Sequence, residues 1–280
     1  MRAPAAPVHN RYRGLAGARP LAESICSPAG LHRRPWLGRL RRALAEDLFV
    51  LHYQPIVSLA DGHVSHYEAL VRLADEPDGR LIAPASFLPA AERYGLIREI
   101  DRMVLEKVAA LLGAARGEHR PSIAMNVSAL TITDRDMLAH IERGLTVAGG
   151  DPSRLVIEVT ETASISDMGQ ATAFCAGVQA LGCAIALDDF GAGFGSFHYL
   201  KHLPFRYLKI DGDFIRNLPD SLNDQLVVKA LVGLVRGMGR STIAEFVGDR
   251  RTIELLREFG VDYAQGFEVG RPQPTMPVVV

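Results

Sequence analysis

Residues 184–191 read Ala184-Ile185-Ala186-Leu187-Asp188-Asp189-Phe190-Gly191, an apolar run that ends in two adjacent aspartates, an aromatic residue and a glycine. A short apolar run with such a break reads as a buried strand with its acids at the C-terminal end. The same pattern recurs on both sides. Strand-like runs occupy Leu48–Val57, Val64–Leu73, Ser122–Val127, Leu155–Thr160, Ala184–Asp188, Tyr207–Ile210, Thr242–Val247 and Tyr263–Gln265. Helical patterns separate most of them. Leu96–Ala115 sets Ile97, Ile100, Val104, Val108 and Leu111 on one face, and Leu222–Met238 sets Leu222, Leu226, Ala230 and Leu234 on another. Repeated βα units predict an α/β fold with a mostly parallel sheet, and eight runs in about 230 residues suit a closed, TIM-like (β/α)8 barrel. Only Ser58–His63, with Asp61-Gly62, separates the first two runs, so the barrel should start with a hairpin and be irregular there.

Composition narrows the class further. The chain has 280 residues, is 48% apolar and 22% charged, and carries a formal net charge of −1. These values exclude global disorder. No apolar stretch reaches the ~18 residues of a membrane span, and the first thirty residues lack the apolar core of a secretory signal. The three cysteines, Cys26, Cys175 and Cys183, form neither an even set nor a metal-type cluster, which predicts a reducing, cytoplasmic setting. The charge is unevenly placed. Residues 1–42 hold nine arginines against Glu23, a formal +8, and the remainder is −9. Residues 1–35, rich in Pro, Arg and Ala, read as a flexible tail too short for a sensor or receiver domain, with no motif for a nucleic-acid polymer. From Trp36 the spacing of Trp36, Leu37, Leu40 and Leu44 predicts a leading helix whose arginines face water. The expected organisation is thus a 1–35 tail, a 36–275 domain and a 276–280 C-terminal tail.

The acids are not scattered. Glu68 lies late in the second run and Asn126 ends the third. Glu158 is at the end of the fourth, with Glu161 three residues on. Asp188 and Asp189 end the fifth, Lys209 and Asp211 the sixth; Glu245 sits in the seventh and Gln265 ends the last. In a (β/α)8 barrel the strand C-termini meet on the face where active sites are built. A single carboxylate there is ordinarily a helix cap or an ion-pair partner, but six or seven at one end repel one another unless cations neutralise them. Carboxylates and one amide oxygen, without His or Cys, suit Mg²⁺ or Mn²⁺ rather than zinc. Adjacent aspartates allow two ions, the usual arrangement for in-line displacement at phosphorus, and Lys209 can hold the attacking water or offset developing charge. Competing motifs fail. Ser196 breaks G-x-G-x-x-G in the Gly191–Gly195 run, there is no G-x-S-x-G, and His63, His66, His198 and His202 read as surface or packing residues.

Together these residues resemble a known family. Glu68-Ala69-Leu70 matches the name-giving tripeptide of the EAL domain, the cyclic di-GMP phosphodiesterase. It stands among Tyr53-Gln54-Pro55-Ile56-Val57, Asn126-Val127-Ser128, Glu158-Val159-Thr160-Glu161, Asp188-Asp189-Phe190-Gly191, Leu208-Lys209-Ile210-Asp211, Ala244-Glu245-Phe246-Val247 and Gln265-Gly266-Phe267, in the family's order. The resemblance implies a modified (β/α)8 barrel with one antiparallel strand that cleaves cyclic di-GMP to linear pGpG with two Mg²⁺ or Mn²⁺ ions. It assigns Glu68, Asn126, Glu158 and Asp188 to one ion, and Asp188 and Asp189 to the other with Glu245 beside its waters. Lys209 would contact the attacking water, Gln265 complete the water network, and Glu161 anchor the glycine-bearing loop. Gln54, Leu70 and Arg72 would bind substrate, Arg72 through phosphate, and Asp211 would lie beside them. A homodimer is also implied. The chain departs from the family at Ala192, Phe194 and Gly195 in D-D-F-G-T-G-Y-S-S, at Gly248 in A-E-G-V-E, and at Arg206 before L-K-I-D. None of these is an implied metal ligand. The alternative is a weak or inactive receptor of the same fold that binds cyclic di-GMP or a protein partner.

Overall fold

The computed structural model describes residues 36–75, 78–115, 121–160, 168–191 and 200–276. The basic tail with Cys26, Glu161, the loop substitutions at 192, 194 and 195, His198 and residues 277–280 lie outside these. Eight strands close a barrel in chain order: β1 (Phe49–Ser58), β2 (Val64–Leu73), β3 (Ser122–Val127), β4 (Leu155–Thr160), β5 (Ala184–Phe190), β6 (Tyr207–Ile210), β7 (Ser241–Ala244) and β8 (Tyr263–Ala264). β1 runs antiparallel to both of its neighbours, β2 and β8. Every other adjacent pair is parallel. The reversal follows from the short link after β1, because parallel strands need a crossover of a dozen or more residues. Gly62 turns that link at φ 79°, and Ser58 N–H donates to the His63 carbonyl at 2.9 Å.

Helices lie outside the strands: α1 (Trp36–Ala45), α2 (Pro84–Arg93), α3 (Ile97–Ala114), α4 (Ala129–Ile132), α5 (Met137–Ala148), α6 (Met168–Ala180), α7 (Gly212–Ile215), α8 (Leu222–Gly237) and α9 (Arg250–Phe259). The core has two layers. Phe49, Tyr67, Leu105, Met125, Ile157 and Leu208 pack between strands and helices, while Ile56, Ala124, Val156, Ala186, Tyr207 and Ile243 form a separate apolar cluster. That second set has the pleat parity of Gln54, Asn126, Glu158, Asp188, Lys209 and Glu245, and so fills the barrel beneath them. His66 packs in this lower layer, its ring 5.2 Å from Tyr207 and 5.4 Å from Tyr263. Burial and the nearby Lys209 and Arg206 charges lower its pKa to about 4. Cys175 and Cys183 are free and buried.

Three details differ from the sequence reading. The α1 arginines do not all face water: Arg39 and Arg42 both pair with the buried Asp75 carboxylate, while Arg41 stays exposed. Leu222, Leu226, Ala230 and Leu234 do share a face of α8, but it points outward, and Val228, Leu231, Val232 and Val235 face the core. The last two strands end at Ala244 and Ala264, so Glu245 and Gln265 sit just beyond them; after β7, Phe246 adopts φ 53° and breaks the extended run.

Candidate active site

The mouth of the barrel is built on one buried ammonium. Lys209, on β6 and 1% exposed, has its Nζ 2.9 Å from Glu158 Oε2, Asp188 Oδ1 and Glu245 Oε1, and 3.6 Å from Glu68 Oε2. The partners come from four different strands, Glu158 and Asp188 late in β4 and β5, Glu245 just past β7, and Glu68 midway along β2 rather than late in it, and closure of the barrel brings them together. Glu68 is fixed further: Asn126 Nδ2 donates to its Oε1 and Gln265 Nε2 to its Oε2, each at 2.6 Å. Gln265 also reaches Gln54 Oε1 at 3.3 Å, and Gln54 Nε2 donates to the Gly270 carbonyl at 3.1 Å.

A strand places neighbouring side chains on opposite faces, so Asp188 and Asp189 should diverge. They do not, because β5 is irregular between Leu187 and Phe190 and Asp189 takes φ 53°. A bulge of this kind re-aims a side chain. One carboxylate oxygen from each of Asp188, Asp189 and Glu245 lies within 4.8 Å of the others.

Electrostatics follow from this crowding. Burial pushes Glu158 far above the usual carboxylate range, with Glu68 and Asp188 adding to the shift against the pull of Lys209. Burial likewise raises Glu245 to about 8 and, with the Asp188 charge, Asp189 to about 6. Glu68 moves the other way, since Lys209 and the Gln265 and Asn126 hydrogen bonds outweigh its burial. For Lys209, burial favours the neutral amine, but the four carboxylates overcome it and hold the ammonium charged. A donor set of hard oxygens fits a divalent cation, and Glu158 Oε1 is buried with no hydrogen-bond partner, an acceptor that a cation would satisfy.

A cavity of about 760 Å³ opens above this floor, lined by Gln54, Glu68, Leu70, Arg72, Asp188, Asp189, Lys209, Glu245 and Gln265. Arg72 donates to the Val71 carbonyl at 2.9 Å and lines the cavity. Asn126 lines an adjacent cavity of about 620 Å³ that shares Leu70. Asp211 stands apart from both linings; its Oδ1 caps α7 by accepting from Asp213 N–H at 2.7 Å. Phe246 and Phe267, to which the sequence motifs assign no role, both line the larger cavity and are 54% and 57% exposed. A large aromatic directly after the strand-end Glu245, and another just after Gln265-Gly266, was the available signal.

A closed barrel whose C-terminal mouth gathers carboxylates around one lysine defines a class of α/β barrel proteins built to hold divalent cations beside a substrate cleft. The EAL domain family matches residues 37–272, and the chain belongs to that family. It is 37% identical over 242 residues to the cyclic di-GMP phosphodiesterase PdeB of Shewanella oneidensis, an alignment covering 85% of this chain and 28% of PdeB. The PaMucR phosphodiesterase, solved in complex with c-di-GMP, superposes with a TM-score of 0.80 at 36% identity, over 86% of this chain and 98% of that one. The FimX EAL domain from Pseudomonas aeruginosa, bound to c-di-GMP, gives 0.81 at 31% identity over 87% and 98%. The chain spans about a third or less of the curated relatives it matches first. Among the described residues no helix is long and apolar enough to cross a membrane.

Proposed function

We propose that this chain hydrolyses cyclic di-GMP to linear pGpG, and that residues 36–275 form the phosphodiesterase domain, flanked by the 1–35 and 276–280 tails, in the cytoplasm. The observation that carries the reading is the set of four carboxylates within 3.6 Å of the buried Lys209 ammonium at the floor of the large cavity. Glu68, Asn126, Glu158 and Asp188 would hold one Mg²⁺ or Mn²⁺, and Asp188 with Asp189 a second, with Glu245 beside them. Bound there, such ions supply Lewis acidity at the phosphate oxygens and lower the pKa of a bound water.

The chain's own residues do the rest. Arg72 receives a phosphate oxygen, and Gln54 and Leu70 shape the wall against the nucleotide. Gln265 locks Glu68 and Gln54 in one hydrogen-bonded row. Lys209 orients the attacking water and opposes the negative charge on the phosphoryl oxygens. The water oxygen bonds to phosphorus, one P–O3′ bond breaks, and a proton reaches the departing O3′, which leaves pGpG. Glu161 lies outside the described residues; its proposed part is to anchor the loop that follows Asp189. Asp211, occupied as the α7 cap, would act at one remove by fixing the turn after Lys209. We also propose a homodimer, supported by the outward apolar face of α8, where Leu222 and Leu226 are 77% and 67% exposed.

The test is to incubate purified protein with cyclic di-GMP and Mg²⁺ or Mn²⁺, and to resolve nucleotides by chromatography. Wild-type protein should yield pGpG, and Glu68→Ala and Asp188→Ala should yield none while keeping their circular dichroism. Binding without product under either ion would convert the reading to a non-catalytic receptor, and turnover in either variant would refute the ligand assignment.

A further inference from the structure

Phe246 and Phe267 both line the mouth without a task in the chemistry above, and of the two Phe246 is the one whose backbone is strained. Its backbone sits at φ 53°, a left-handed conformation that costs a non-glycine residue about 1–2 kcal/mol. Strain of this kind persists only where the surroundings enforce it, and it gathers at functional sites. Here the surroundings are specific. The Arg216 guanidinium lies 4.1 Å from the ring centroid, and Asp213 holds Arg216 in turn at 2.6 Å. Gly212 makes room for the ring, since a Cβ at that position would come within 2.3 Å of Phe246 Cδ2. The fold thus positions the ring without burying it: Phe246 remains 54% exposed and lines the same cavity as Lys209 and Glu245.

An apolar ring held in a strained conformation and left half open to water gains little for folding beyond its Arg216 contact. It does gain from a flat partner. Consecutive Cα atoms are about 3.8 Å apart, so Phe246 stands one step from Glu245, whose carboxylate touches Lys209. A phosphodiester on that floor carries its sugar and base toward the rim. We propose that Phe246 is a stacking platform for one purine base of the substrate, with Arg216 backing the ring and Gly212 seating it. This inference rests on the cyclic di-GMP reading and adds a substrate-binding residue to it. Base–aromatic stacking tolerates different bases, so the platform contributes affinity rather than a choice of guanine.

The test compares Phe246→Gly and Phe246→Trp with wild type, using cyclic di-GMP in Ca²⁺ with Kd read by calorimetry. Phe246→Gly should weaken binding about 5- to 150-fold, while its thermal midpoint holds or rises, because glycine accepts φ 53° without strain. Phe246→Trp should bind within about 2-fold of wild type, since indole stacks at least as well. Because the chain has one other tryptophan, Trp36, the new indole also reports directly, and its fluorescence should be quenched as cyclic di-GMP is added. Wild-type affinity in Phe246→Gly, or calorimetric binding to Phe246→Trp without quenching, overturns the platform alone. A wild-type chain that binds no cyclic di-GMP overturns the function reading and the platform with it.

Discussion

Replacing Lys209 by methionine removes the one positive charge at the barrel floor while keeping a similar volume. At an effective dielectric constant of about 20, each 2.9 Å contact from Nζ to a carboxylate is worth about 6 kcal/mol of gross attraction. The net loss is smaller, for two reasons. The ammonium no longer has to be desolvated, and the stranded carboxylates can take up protons. Breaking a buried ion pair by removing one partner leaves about 3–5 kcal/mol of destabilisation, and that is the loss expected for Lys209→Met at pH 8 in EDTA. Its pH dependence has a definite sign. Without the ammonium Glu68 no longer has its depressed pKa, so the variant's folded state binds more protons than wild type. Its deficit should therefore be largest at pH 7–9 and shrink as pH falls toward the ordinary glutamate value of 4.5. Urea unfolding followed by circular dichroism at pH 5 and pH 8 measures both quantities. Mg²⁺ should then restore more stability to the variant than it adds to wild type, because without the ammonium's repulsion it binds the folded floor more tightly. A loss below about 1 kcal/mol at pH 8, or a deficit independent of pH, would refute the view that Lys209 holds the acids together.

Two other perturbations probe regions away from the floor. Asp101 on α3 is buried, and burial raises it to about 6, against the Thr131 hydroxyl at 2.6 Å and the Ser128 N–H at 3.0 Å. Its share of stability is complete below the ordinary value of 3.8 and is lost as pH rises through about 6. Asp101→Asn should therefore gain up to about 3 kcal/mol on wild type between pH 4 and pH 7, and a flat difference across that range in chemical denaturation would count against the burial argument. On α8, Leu226→Asp should turn a dimer into a monomer in sedimentation runs with stability changed by no more than about 0.5 kcal/mol. A monomeric wild type would end the dimer reading.

The barrel was legible because its signals repeat: apolar β runs, polar ends, helical spacing between them, and one link too short for a crossover. What escaped was whatever depended on which of two apolar stripes faces inward. On α8 the stripe of Leu222, Leu226, Ala230 and Leu234 is as regular as the stripe of Val228, Leu231, Val232 and Val235, and only tertiary packing selects the second. On α1 the arginines read as solvent-facing because their acceptor, Asp75, lies 36 residues from Arg39. Strand ends escaped too, since a positive φ at Phe246 cannot be read from a sequence in which Ala244 to Val247 looks continuously extended.

The site was more legible than these details because its composition contradicts what folding alone would select. Four carboxylates within 3.6 Å of one ammonium leave a formal −3 on a largely buried floor. No packing requirement favours that, and burial answers it by pushing Glu158 and Glu245 toward their protonated forms. Protons are a poor solution at neutral pH, because Glu245 lies near 8 and Asp189 near 6, so the bare floor's charge changes on either side of pH 7. Divalent cations neutralise the same acids without that dependence. The −9 carried outside the first 42 residues is thus partly concentrated at the barrel mouth: a chain that gathers acids from successive strands there, and bends Asp189 to φ 53° to bring in one more, accepts a cost in the bare fold that a divalent cation would offset.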